Sequence, residues 1–166
     1  EPLKIDRLGI HLGHKKTIKV DSRFQTNIEH IYACGDVIGY PALASTSAEQ
    51  GRIAARNAMQ LETGYHDPAL YPMAIYTIPE LSYVGETERE LREQGVAYVV
   101  GRALFAETAR GQIIGEERGF MKLLVDRATR AIRGVHIIGE SASELIHVGQ
   151  MAMACGRSSQ GKVALM

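Results

Sequence analysis

The sequence predicts two architectures in succession: an incomplete layered α/β piece, then an α+β unit with an antiparallel sheet. Three observations carry this. An apolar run, His30–Cys34, ends at Gly35-Asp36 and is followed after a short loop by a helical segment, the order of a strand buried on both faces and its helix. Between Glu62 and Pro72 the composition shifts, with Gly64, Asp67, Pro68 and Pro72 close together, which marks a domain boundary near residue 66. Beyond it the pattern is strand-rich, with one clear hairpin and two capped helices.

Taken in order, Leu8–Leu12 and Thr17–Asp21 alternate apolar and polar residues around the turn-like Gly13-His14-Lys15-Lys16, the pattern of a hairpin, and His30–Cys34 is a third short strand. The segment Leu43–Gln60 has helical periodicity, with a stripe of very small residues, Ala44, Ala48, Gly51, Ala55 and Ala58, on one face. Such a stripe, if buried, brings the backbone close to a sheet or a flat ligand. In the second half, Met73–Thr77 and Leu81–Val84 are strands interrupted by Pro79. Thr87–Glu90 is a capping box opening a helix that runs to about Gln94 and stops at Gly95, after which Val96–Arg102 is a strand. Phe120–Asp126 and Ala131–Ile138 flank Arg127–Arg130 as an antiparallel hairpin. Ser141–Glu144 is a second capping box, and its helix carries Ala142, Leu145, Ile146, Gly149 and Met153 on one face as a core stripe.

Composition excludes several classes of function. Lys plus Arg and Asp plus Glu number 19 each, and the balance holds in both halves, so no electrostatic footprint for nucleic acid is present. No apolar run approaches the roughly 18 residues of a membrane span. Cys34 and Cys155 form neither a CxxC nor a metal-ligand cluster, which suits a reducing, cytoplasmic setting with no bound metal. Cys34 and Cys155 are expected as small packed residues. His136 and His147 are expected to take packing or surface roles rather than react, Met151 and Met153 to fill core or interface, and Glu86, Glu88, Glu90 and Glu93 to form a solvated helix face. His11, His14, His30 and His66 show no metal spacing. The first residues, Glu1-Pro2, suggest a piece of a longer protein.

The Gly35-Asp36 turn is the candidate site. An Asp at the carboxyl end of a sheet strand accepts hydrogen bonds from sugar-like hydroxyls, and the free amides at the helix start, Ala42–Ser45, favour an electron-rich ligand atom. A Gly-Asp turn equally serves plain turn chemistry.

The combination is more specific than its parts. Thr26–Asp36 resembles the second flavin fingerprint of the pyridine nucleotide–disulfide oxidoreductase family, and Leu43–Arg52 resembles the helix that completes that site. Tyr76–Glu80, Val84–Glu88, Gly134–Gly139 and Ser143–His147 are similar to its C-terminal dimerisation domain. Gly35–Pro41 and Leu43-Ala44-Ser45 are most similar to the soluble pyridine nucleotide transhydrogenase members, since the disulfide-reducing members commonly carry His at the position of Ser45. The resemblance implies that residues 1–66 are the C-terminal edge of an FAD-binding Rossmann-like domain, 67–156 a truncated dimerisation domain, and 157–166 a divergent tail. It implies that Asp36 binds a ribityl hydroxyl of FAD and that the backbone of Leu43 and Ala44 faces the pyrimidine edge of the ring, with Gly35, Ala42 and Ser45 also at the cofactor site. It also implies that NAD(P) is bound by segments outside this chain, which contains no GxGxxG, and that the parent is a homodimer. A dihydrolipoamide dehydrogenase-like disulfide reductase, or a non-catalytic flavin-site wall with a dimerisation module, are the alternatives.

Overall fold

A computed structural model of the chain describes residues 4–63, 67–116 and 118–158, without the side chains of Asp6, Arg157 and Ser158. The chain divides into two compact units, Glu1–His66 and Asp67–Met166.

The second unit is an antiparallel five-stranded sheet: β1 (Met73–Ile75), β2 (Leu81–Gly85), β3 (Tyr98–Leu104), β4 (Phe120–Asp126) and β5 (Ile132–Ile138), in the spatial order β1-β2-β5-β4-β3. The predicted β4–β5 hairpin forms because Asp126 accepts the amides of Ala128 and Thr129, each at 2.9 Å, and so folds the turn onto itself. Thr87 and Glu90 close the capping box of α3 (Glu88–Glu93), and Gly95 leaves that helix with φ +69°. A further helix, α4 (Ala109–Ile114), follows β3. It is short and capped by Thr108, whose side chain accepts the Gly111 amide, and its periodicity is too brief to read from sequence.

The core of this unit is one face of the sheet against α5 (Ala142–Ser158). Val84, Val135, Ile137, Ala142, Ile146 and Met153 are buried together. Gly149 permits the contact: a Cβ there would lie 2.9 Å from both Val135 methyl carbons, so the helix approaches the sheet only with glycine at this position. Leu145, expected in the core stripe, is instead 36% exposed and joins Val148 and Met151 on the outer face, because the buried arc of α5 is narrow and passes through small residues. Of the two methionines, Met153 is buried and Met151 exposed.

All four glutamates expected as a solvated face have partners, Glu93 through an exposed pair with Arg89 at 3.9 Å. Glu86 pairs with Arg133 through two bonds, Nε–Oε2 at 2.6 Å and Nη2–Oε1 at 2.9 Å. Glu88 pairs with Lys122 at 2.8 Å and accepts from Tyr98, and Glu90 caps its own helix. His136 is packed as expected: its ring stacks on Tyr83 at 5.7 Å, its Nε2 faces the Glu86 carbonyl at 3.1 Å, and burial pushes the imidazole pKa down. His147 is exposed and bonds Gln150.

The first unit departs more from expectation. A single helical turn, α1 (Ile5–Leu8), and a 3-10 turn (His14–Lys16) replace most of the predicted hairpin. Only isolated bridges remain, Leu12 to Ile18 and Gln25 to Tyr32. Alternation marks residues that suit a sheet, but a strand forms only beside a partner, and among the described residues of this unit no extended partner is present. The predicted helix is α2 (Ala44–Ala58). Its small-residue stripe is turned outward: Ala44, Ala48, Ala55 and Ala58 are not buried, while Thr46, Gln50, Ile53, Ala54 and Asn57 are. Phe24, Ile53 and Ala54 make a small core with Val20, Tyr32 and Ile38. The side chains excluded most completely from solvent, Leu91, Leu124, Ile137, Ile146, Met153, Val84 and Val135 among them, belong to the second unit. The 159–166 part of the expected tail lies outside the described residues, and α5 continues through Ser158.

Native-state hydrogen exchange is therefore expected to show stronger protection for amides of β2, β4 and β5 than for amides of residues 10–34; equal protection in both units contradicts this. Acid is expected to weaken the second unit. Bonds from Lys122 to Glu88, from the Thr87 amide to Glu90 and from the Thr129 amide to Asp126 hold these carboxyls below their ordinary range. Their folded values lie below the unfolded ones, so their contribution is complete above about pH 4 to 5 and is lost as pH falls through the folded values. Urea midpoints measured from pH 7 to pH 3 are expected to fall in that window, with a shallower fall in Glu88→Gln.

Candidate functional site

The site is built on the junction between an extended run and α2. Ile31–Cys34 is half-buried, and the chain then makes a 3-10 turn, Gly35–Ile38. Gly35 takes φ +76°, a left-handed conformation that side chains disfavour, and it is buried. Its amide donates to Gln50 Oε1 at 2.7 Å, and Gln50, on the second turn of α2, is 3% exposed. A Cβ on Gly35 would lie 3.1 Å from Ser47 Oγ, and one on Gly51 would lie 3.7 Å from Cys34 Sγ. The turn is thus pressed against the first two turns of the helix. Gly51, the half-buried member of the small-residue stripe, faces Cys34 at a distance where a Cβ would make only ordinary contact. Cys34 is half-buried there, as expected, whereas Cys155 is exposed on α5 rather than packed, since its position falls on the outer arc of the helix.

Asp36 follows at once, exposed, and its carboxylate has no hydrogen-bond or ion partner among the described residues. Its backbone carbonyl accepts the Gly39 amide and closes the turn. The chain then passes a cis Tyr40–Pro41 bond to Ala42, which is exposed, and to Leu43, the N-cap of α2. Leu43 has an apolar side chain and supplies no cap hydrogen bond, while Ala44 and Ser45 are exposed. The start of α2 therefore presents amides that its own sequence leaves uncapped. Of the six residues predicted from sequence, Gly35 is fixed against the helix, Asp36 stands free one residue on, and Ala42 to Ser45 line the helix start. The apolar hollow beside the turn, about 350 Å³, is bounded by Ile18, Ile31, Ala33, Cys34 and Val37 and carries almost no polar surface.

Chemically the arrangement combines an unpaired carboxylate, an acceptor for hydroxyl groups, with an open helix N-terminus, a donor to electron-rich atoms. Gln50 and Ser47 were not singled out from sequence. The signal that points to Gln50 is a long polar residue on the arc of α2 otherwise occupied by Ile53, Ala54 and Asn57. Among the described residues no group of three His, Cys, Asp or Glu side chains is placed to hold a metal ion.

Gly35→Ala is expected to cost about 1–2 kcal/mol in urea unfolding, from its left-handed backbone and the Ser47 contact together. Asp36→Ala is expected to change stability by less than about 0.5 kcal/mol, because the exposed carboxylate bonds none of the described residues.

The comparisons with known proteins bear on both units. The model of the pyridine nucleotide-disulphide oxidoreductase dimerisation domain matches residues 71–165, and the pyridine nucleotide-disulphide oxidoreductase model matches residues 1–51. A soluble pyridine nucleotide transhydrogenase of Mycobacterium bovis is 50% identical over 157 residues, covering 94% of this chain and 33% of that protein. One of Yersinia pestis is 47% identical over 151 residues, covering 91% and 32%. Among solved structures, LpdA from Mycobacterium tuberculosis aligns with a TM-score of 0.80 at 30% identity over 92% of this chain and 33% of that one. The HOCl-induced flavoprotein disulfide reductase RclA from Escherichia coli aligns with a TM-score of 0.77 at 26% identity, over 99% of this chain and 39% of that one. The chain spans about a third of the length of the curated relatives it matches. With a family model covering more than half of its residues and an antiparallel sheet and helices laid out as in those structures, the chain belongs to the pyridine nucleotide-disulphide oxidoreductase family.

Proposed function

We propose that the chain is part of an FAD-dependent soluble transhydrogenase, an oxidoreductase that moves a hydride from one reduced nicotinamide nucleotide to the oxidised form of the other, NAD or NADP, in the cytoplasm. The observation that carries this reading is the 47–50% identity to soluble pyridine nucleotide transhydrogenases along nearly the whole chain. Ser45, where the disulfide-reducing members commonly carry His, favours it over a lipoamide dehydrogenase-like activity.

The residues present fit a flavin. Asp36 has a carboxylate with no partner among the described residues, and α2 begins with uncapped, exposed positions one turn from the contact that fixes Gly35. On this reading residues 1–66 belong to the FAD-binding domain, with Gly35 and Asp36 on the ribityl chain. The Asp36 carboxylate accepts a hydrogen bond from a ribityl hydroxyl. The backbone of Ala42, Leu43, Ala44 and Ser45 meets the pyrimidine edge, where amides held in place before reaction stabilise developing negative charge without rearrangement. When bound, FAD supplies the hydride acceptor and donor between the two nucleotides. NAD(P) is held by segments outside this chain, and by itself this chain is one wall of the flavin site joined to a dimerisation module.

Residues 67–156 supply the homodimer contact of the parent. The outward face of α5, with Leu145, Val148 and Met151 exposed by 36%, 69% and 69%, is the apolar surface a second copy covers.

The parent enzyme is expected to reduce a thio-NAD analogue with NADPH in the absence of any disulfide substrate. Asp36→Ala in that enzyme is expected to weaken flavin retention about tenfold or more with an unchanged fold, read by flavin absorbance after dialysis. Disulfide-dependent NADH oxidation without nucleotide exchange overturns the reading.

A further inference from the structure

Helix α5 begins without the cap its sequence advertises. Ser141 and Glu144 have capping-box spacing, but Ser141 sits at φ +58°, outside the extended conformation an N-cap residue normally adopts. The group that meets the first turn comes from 63 residues away. Glu80 Oε2 accepts the Ser143 amide at 2.9 Å and the Ser143 hydroxyl at 2.7 Å. Two residues further along β2, fully buried Ser82 donates its hydroxyl to the Ala142 carbonyl at 2.6 Å. The Gly139 amide donates to the Glu80 carbonyl at 3.0 Å, so the loop entering the helix is tied to the same point. The hydrogen bonds from the Ser143 amide and then its hydroxyl hold the Glu80 carboxyl below its ordinary range, against a smaller opposing effect of desolvation.

These bonds matter because of how the rest of α5 is held. At Gly149 the helix touches Val135 closely, and the buried arc there is a glycine flanked by Ile146 and Met153. Burial of Ile146 and Met153 and the bond from Gln150 Nε2 to the Leu70 carbonyl at 3.0 Å hold the middle and far end of the helix on the sheet. Glu80 adds a polar anchor at the first turn, beside buried Ala142. A carboxylate suits the position, since it faces unpaired amides at the positive end of the helix dipole. The outward stripe, Leu145, Val148 and Met151, begins two residues after the anchor.

We propose that Glu80 is the positioning residue of α5: it caps the helix from the start of β2 and so sets the direction in which Leu145, Val148 and Met151 meet a second copy of the chain. This rests on the homodimer reading above.

The test compares wild type, Glu80→Ala, Glu80→Gln and Val148→Glu in the parent enzyme by residue-resolved hydrogen exchange and by sedimentation across concentration. Glu80→Ala is expected to speed exchange of the Ser143 amide about fivefold or more and to weaken self-association by a similar factor, while amides of β4 and β5 keep wild-type rates. Glu80→Gln keeps an acceptor oxygen at the same reach and is expected to restore most of both. Val148→Glu is expected to weaken association while Ser143 stays protected. Unchanged Ser143 exchange in Glu80→Ala overturns the proposal, as does faster exchange with unchanged association. A wild-type parent enzyme that stays monomeric overturns the homodimer reading and the presentation of the stripe with it. Failure of the cap is distinguished from that result by the Ser143 exchange of Glu80→Ala, which needs no dimer to be read.

Discussion

The bond between the Gly35 amide and the buried Gln50 carboxamide is the constraint on which the candidate site depends. A buried amide donor and a buried side-chain acceptor are each expensive unpaired, so the pair holds with the combined penalty of both orphans. It makes the left-handed turn at Gly35 tolerable and seats it against Ser47. Among the described residues the next side chain, Asp36, has no bonding partner. An unpartnered carboxylate beside an uncapped helix is a poor solution for stability and a good one for binding a polar ligand.

The two units differ in how much of their own support they carry. In the second, five strands pair in one sheet, α5 covers one face, and carboxylates are satisfied by Lys122, Arg133, Thr87 and the Asp126 turn. In the first, the residues that read as strands make isolated bridges, and the alanines of α2 face outward. Small residues on an exposed helix face add little stability there.

A similar division of labour recurs at α5. Its inner arc packs on the sheet through Gly149, Ile146 and Met153, and its first turn is held by Glu80 and Ser82. That leaves Leu145, Val148 and Met151 for the outside. Family membership and the packing arrangement thus bear on the same element from independent directions.

The strands and helices of the second unit were legible in the sequence because each carries local information: the Thr87–Glu90 box, the glycine after α3, the Asp126 turn and the alternation of β4 and β5 lie within a few residues of what they specify. The Gly35-Asp36 turn and the bounds of α2 were legible for the same reason. What tertiary structure decided were the partners. Periodicity gives a stripe but not the side it faces, so the alanines of α2 and Leu145 of α5 turned outward against expectation. Capping-box spacing shows that a helix begins, but not which group caps it, and for α5 a glutamate 63 residues away does so. Hydrogen bonds and burial across such separations depend on where whole elements come to rest, and sequence alone fixes only the short-range part of that.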